Sequence, residues 1–197
     1  REKIATVEAG TAAGVIDSKQ TPIKTSEAID VILTAEAALV WDEATGTILY
    51  EKNPDARRPV ASLSKLAAAL TIRKYLPLET MVTIPDEVRK AQRSGADIQL
   101  PVGDQATAYD LLAAGLIASA NDAMVSLGIG MSGSEEEFAR TANDFIQRNG
   151  VYSSRISNAT GLAGGEQYST ARDIMELFKL NYRDQLMRNL LVSEEKT

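Results

Sequence analysis

Ser62 and Lys65 stand three residues apart in Ala61-Ser62-Leu63-Ser64-Lys65-Leu66, and Ser119-Ala120-Asn121 follows further along the chain. The 197 residues contain no histidine and no cysteine. Within them a Ser–His–Asp triad, a cysteine nucleophile and a histidine-ligated metal site are excluded. Covalent chemistry then falls most simply to a serine with a lysine as its base. Residues i and i+3 of a helix share a face, so a helix starting at this segment sets the Lys65 amine beside the Ser62 hydroxyl. The first helical turn, with its free N–H groups and dipole, favours a developing negative charge. The Ser62 backbone N–H is a candidate oxyanion donor. Burial of Lys65 among Leu66 and Ala67–Ala69 would lower its pKa and let it act as a neutral base. Ser119 reads as a proton relay between Lys65 and a leaving group. Asn121 reads as a substrate-binding residue, because an amide offers donor and acceptor together to a peptide backbone.

Ser-x-x-Lys alone has little specificity. At ordinary serine and lysine frequencies about one match arises by chance in a chain of this length. Ser193-Glu194-Glu195-Lys196 is a second match, among charges near the end, and reads as coincidence. The plain alternative for Ser62 is a helix-capping serine with a surface lysine. For Ser119–Asn121 it is a helix stop followed by an N-cap. Glu166, in a Gly-rich loop, reads as a surface residue rather than a deacylation base. Arg172 and Asp173 read as helix capping with a local ion pair, and Trp41, in an alternating strand, as core packing.

The elements that must position these residues can be read from pattern. Residues 1–34, rich in Ala, Thr, Ser and Lys, read as a linker or stalk, with Ser26 to Leu33 able to form a short helix. Ala37–Asp42 and Thr47–Glu51 read as a hairpin, with Gly46 supplying the positive φ. Leu63, Leu66, Ala67 and Leu70 form an i, i+3, i+4, i+7 stripe that should face the core. Met81–Ile84 and Ile98–Leu100 read as minor strands. Helices dominate thereafter, with starts signalled at Thr107/Asp110, Asn121, Ser134/Glu137 and Thr170/Asp173. Asn158–Gly161 and Gly164-Gly165 read as turns.

With 21 basic and 27 acidic residues the net charge is −6, which argues against nucleic acid and anionic lipid as partners. No apolar run approaches the ~20 residues of a membrane span. The chain begins at Arg1 rather than Met, as expected of a processed or trimmed product.

The motifs in this order, followed by Tyr168-Ser169-Thr170-Ala171-Arg172-Asp173, resemble the penicillin-binding D-alanyl-D-alanine carboxypeptidases, relatives of the class A β-lactamases. The resemblance runs from Ala35 to Leu180 and rests on Leu39–Glu51, Pro59–Leu70, Gly103-Asp104 through Asn121-Asp122-Ala123, and Asn158–Asp173. It implies an α/β fold of the α+β type, a helical lobe with a partial antiparallel sheet, mostly helical in this chain. It also implies catalytic Ser62, Lys65 and Ser119, with Asn121 binding substrate and neither cofactor nor metal. The reaction implied is removal of the terminal D-Ala from a peptidoglycan stem peptide through an acyl-enzyme, on the extracytoplasmic side of a bacterial cell. β-Lactams would acylate the same serine, and any membrane attachment would use segments outside this chain. The family's third motif, Lys-Thr/Ser-Gly, is not found: Lys24-Thr25-Ser26 lies upstream of everything else, and Lys196-Thr197 comes too soon after Tyr168. The expectation is a linker over 1–34 and a domain over 35–197 without its C-terminal strands. A β-lactamase-like hydrolase and a non-catalytic wall-binding or scaffold domain of the same fold remain open as alternatives.

Overall fold

The computed structural model describes residues 21–25, 32–163 and 165–193. Residues 26–31 of the helix expected over Ser26–Leu33, most of the 1–34 linker, the Gly164 turn position, and Ser26, Lys196 and Thr197 of the two Lys-Thr sites lie outside the described residues, and Ile32 and Leu33 are not helical. So does the Lys196 end of the second serine–lysine pair.

Ala38–Trp41 (β1) and Ile48–Lys52 (β2) pair antiparallel, with Val40 opposite Tyr50 and a register shift at Trp41. The turn closes as expected: the Asp42 carboxylate accepts from Thr45 N at 2.8 Å, and Gly46 takes φ +72°.

Ala61–Ser64 is wound as a 3₁₀ turn, and the α-helix proper, α1, is Lys65–Tyr75. Ser62 therefore precedes the α-helix instead of lying in its first turn. A 3₁₀ turn has three residues per turn and stacks i over i+3, which aligns Ser62 with Lys65 more closely than an α-turn does. The expected apolar stripe holds in part. Leu66 and Ala67 are buried, but Leu63 is 52% exposed, while Ala68, Ala69 and Ile72 are buried on the remaining faces. A one-face reading fails because α1 is covered on nearly every side.

Met81–Thr83 (β3) pairs with Gln105–Thr107 (β4), Met81 opposite Thr107. The strand expected at Ile98–Leu100 is not formed: the Ile98 and Leu100 amides go to the Asp122 carboxylate instead of a ladder. A short helix, Val88–Ala91 (α2), occupies the same excursion. Then follow Ala108–Ile117 (α3), Asn121–Ser132 (α4), Glu135–Arg148 (α5), Ala171–Arg183 (α6) and Gln185–Leu191 (α7). Thr107, Ser134 and Thr170 each accept the backbone N–H three residues on, the caps read from the sequence. Asp184 caps α7 by taking the Leu186 and Met187 N–H groups, a start the sequence reading did not include.

Two buried apolar clusters flank α1. One joins Ile72, Val82, Leu111, Leu112, Met124, Leu127 and Phe138, and the other joins Leu66, Ile146, Val151, Ile156 and Leu177. A mainly apolar groove of about 710 Å³ lies between β1, the 3₁₀ turn and α6, lined by Leu39, Trp41, Leu63, Leu66, Ile174 and Phe178 among others.

Candidate active site

Lys65 is 3% exposed and ends in a ring of neutral acceptors. Its Nζ lies 3.2 Å from Ser62 Oγ, 3.2 Å from Ser119 Oγ, 2.7 Å from Asn121 Oδ1 and 3.1 Å from the Thr160 carbonyl. Burial without a countercharge pushes the amine down from 10.5 to about 8. An ammonium has three protons for four acceptors. A neutral amine divides them differently: it donates to the Asn121 and Thr160 oxygens and keeps a lone pair to accept a proton from a serine hydroxyl. The structure thus brings together Ser62, Lys65, Ser119 and Asn121, all four residues singled out in the sequence, and adds Thr160.

Each member is held by its own local device. Ser119 sits between α3 and α4 at φ +56°, a left-handed conformation that costs a non-glycine residue about 1–2 kcal/mol and turns its hydroxyl toward Lys65. Asn121 begins α4, is 2% exposed, and donates Nδ2 to the Ser94 carbonyl at 2.9 Å. Both ends of its amide therefore serve the protein. Thr160 is set by Asn158, whose Oδ1 accepts from Thr160 N, Thr160 Oγ1 and Gly161 N. Gly161 has φ +85°, and a Cβ there would collide with the Ala61 carbonyl and the Ser64 hydroxyl. The loop can approach the Ser62-bearing turn only because this residue is glycine. Sequence reasoning saw Asn158–Gly161 as a turn and missed its carbonyl. An Asn-x-Thr-Gly run was the available signal, since Asn favours such self-bonded turns.

The family model described as D-alanyl-D-alanine carboxypeptidase matches residues 22–197. The chain belongs to the D-alanyl-D-alanine carboxypeptidase family. It is 32% identical over 166 residues to D-alanyl-D-alanine carboxypeptidase DacF of Bacillus subtilis, covering 82% of this chain and 42% of that protein. It is 31% identical over 181 residues to a D-alanyl-D-alanine endopeptidase of Pseudomonas aeruginosa, covering 91% and 58% respectively. The chain spans about half the length of these curated relatives. The crystal structure of D-alanyl-D-alanine carboxypeptidase DacD from Francisella tularensis superposes with a TM-score of 0.75 at 27% identity, over 91% of this chain and 44% of that one. The carboxypeptidase fold, mostly helical with small antiparallel sheets, is the one expected.

Residues outside the Lys65 cluster take ordinary places. Glu166 is exposed and stands 3.8 Å from Arg155. Arg172 differs from the local pairing expected: it reaches back across the fold to Asp55 at 2.7 Å and Glu51 at 3.3 Å. Asp173 accepts from Ser153 N and Ser154 Oγ. Trp41 packs edge-on against Phe178, ring centroids 5.9 Å apart.

Proposed function

We propose that this chain is the serine-bearing part of a D-Ala-D-Ala carboxypeptidase acting on peptidoglycan stem peptides outside the bacterial cytoplasm, with residues 35–197 as the working unit and 1–34 leading into it. The observation that carries the reading is the Lys65 amine, buried among neutral acceptors and in reach of two serine hydroxyls. Neutral Lys65 takes the proton of Ser62 Oγ as that oxygen attacks the carbonyl of the penultimate D-Ala. The Ser62 backbone N–H, at the start of the helical segment, meets the developing oxyanion. Ser119 passes a proton from Lys65 to the departing D-Ala amine. Asn121 holds Lys65 through Oδ1 and offers its remaining Nδ2 proton to the substrate backbone. Water then attacks the acyl-enzyme carbonyl, Lys65 taking the water proton and returning it to Ser62 Oγ as the ester bond breaks. A β-lactam enters by the same route, its ring nitrogen in place of the leaving amine.

Labelling with a fluorescent penicillin followed by peptide mapping tests the assignment. The adduct is expected on Ser62, and an adduct on Ser64, Ser119 or Ser193 overturns it. The endopeptidase relative, aligned over 91% of this chain, favours a second reading in which the same acyl transfer cuts within a peptide. Offering a cross-linked muropeptide beside a pentapeptide separates the two.

A further inference from the structure

Asp122 is fully buried in the first turn of α4 and is not used by the mechanism above. Its carboxylate accepts from Leu100 N at 2.9 Å, Ala123 N at 3.0 Å, Ile98 N at 3.3 Å and Gln92 Nε2 at 3.3 Å. A buried carboxylate is tolerated when N–H groups surround it, and here four do. Two of them come from residues flanking Gln99, whose φ of +57° lets alternate amides converge on one carboxylate. Gln92 Nε2 closes the same loop by donating to the Leu100 carbonyl at 2.9 Å. The neighbouring residue stitches the next stretch of this segment: Asn121 N donates to the Ala96 carbonyl at 2.8 Å and Asn121 Nδ2 to the Ser94 carbonyl at 2.9 Å. Residues 92–100 are therefore anchored by two consecutive side chains, one of which makes the shortest contact to Lys65.

We propose that Asp122 is a positioning residue of the acyl-transfer site: by clamping Ile98 and Leu100 it holds the Ser94 carbonyl where it fixes the Asn121 amide, so that Oδ1 faces Lys65. The inference rests on the Ser62–Lys65 reading. A turned amide would point N–H groups at the amine and leave Lys65 without its shortest acceptor. Asp122→Asn keeps the size of the side chain but turns one acceptor into a donor facing backbone N–H groups.

The test is a double-mutant cycle of Asp122→Asn with Asn121→Ala, read by the rate of fluorescent penicillin labelling. Asp122→Asn alone is expected to slow labelling by about 10- to 100-fold, the scale of a misoriented catalytic group. In the Asn121→Ala background the same change should cost less than about twofold, because its route is already gone. A full additional loss in that background, or wild-type labelling by Asp122→Asn, overturns the inference. If the unmutated chain does not label, the failure belongs to the proposed function or to the missing Lys-Thr/Ser-Gly strand and not to this inference. The inference is then read from the Asn121 side-chain amide by NMR: faster hydrogen exchange at Nδ2 in Asp122→Asn supports it, and unchanged exchange overturns it.

Discussion

A lysine whose acceptors carry no charge makes the site respond to pH in a definite direction. With the amine at about 8, roughly a tenth of molecules hold it neutral at pH 7. Acylation should therefore climb with pH and level off above about 8, measured by stopped-flow penicillin labelling; a profile flat through that range would remove Lys65 as the base. The same shift acts on stability. The folded state gives up this proton at about 8 and the unfolded state near 10.5, so the cost of burying the ammonium is present below 8 and fades as pH rises across that window. Lys65→Arg keeps a cation and removes the base, and labelling should fall by about 100- to 10,000-fold, the range for losing general base catalysis. Near-normal labelling by that variant would refute the role. Gly161→Ala forces a Cβ against the Ala61 carbonyl at a left-handed position. It should cost at least about 1–3 kcal/mol in urea unfolding and slow labelling as well, since the Thr160 carbonyl moves with the loop. A variant as stable and as fast as the parent would show that the loop yields without consequence.

Among the elements, the features legible in the sequence are those whose determinants lie within a turn of each other. Thr107, Ser134 and Thr170 cap helices through the N–H three residues on, and Ser62 meets Lys65 over the same spacing. Ser119 and Asn121, 54 and 56 residues from Lys65, are legible through the order of the motifs and the family they resemble, while the features the sequence does not display are set by other partners far along the chain. Ile98–Leu100 has a strand's composition, yet its amides are claimed by Asp122, more than twenty residues on. Arg172 finds Asp55 and Glu51, separated from it by 117 and 121 residues. The Thr160 carbonyl is invisible to side-chain reasoning because it is backbone. The caps permit a comparison. Ser134→Ala should cost about 0.5–1 kcal/mol at its exposed site, whereas Thr170→Ala, buried beside the Asp173 network, should cost about 1–2 kcal/mol. Denaturant unfolding of the two variants checks the order, and a larger loss at Ser134 would contradict the burial argument.

For the whole molecule, the hairpin leaves its β1 edge unpaired among the described residues, beside the apolar groove under Leu39 and Trp41. Two strands are marginal without further cover, and these 197 residues hold no Lys-Thr/Ser-Gly run. A longer chain that brings such a strand beside the site should melt higher and label faster. If the second oxyanion donor comes with it, the gain should be about 100- to 1000-fold; equal behaviour of the two lengths would show that the chemistry is organised without it. The contacts around Lys65 also have a temporal consequence. Ser62 is three residues away, but Ser119, Asn121 and Thr160 are 54, 56 and 95 residues distant. Loops of that size close late during refolding, after the local turns and helices have formed. A pulse of penicillin given at successive times after dilution from denaturant would therefore count the molecules in which the last of those closures has taken place, so that the reaction itself becomes a clock for the end of folding.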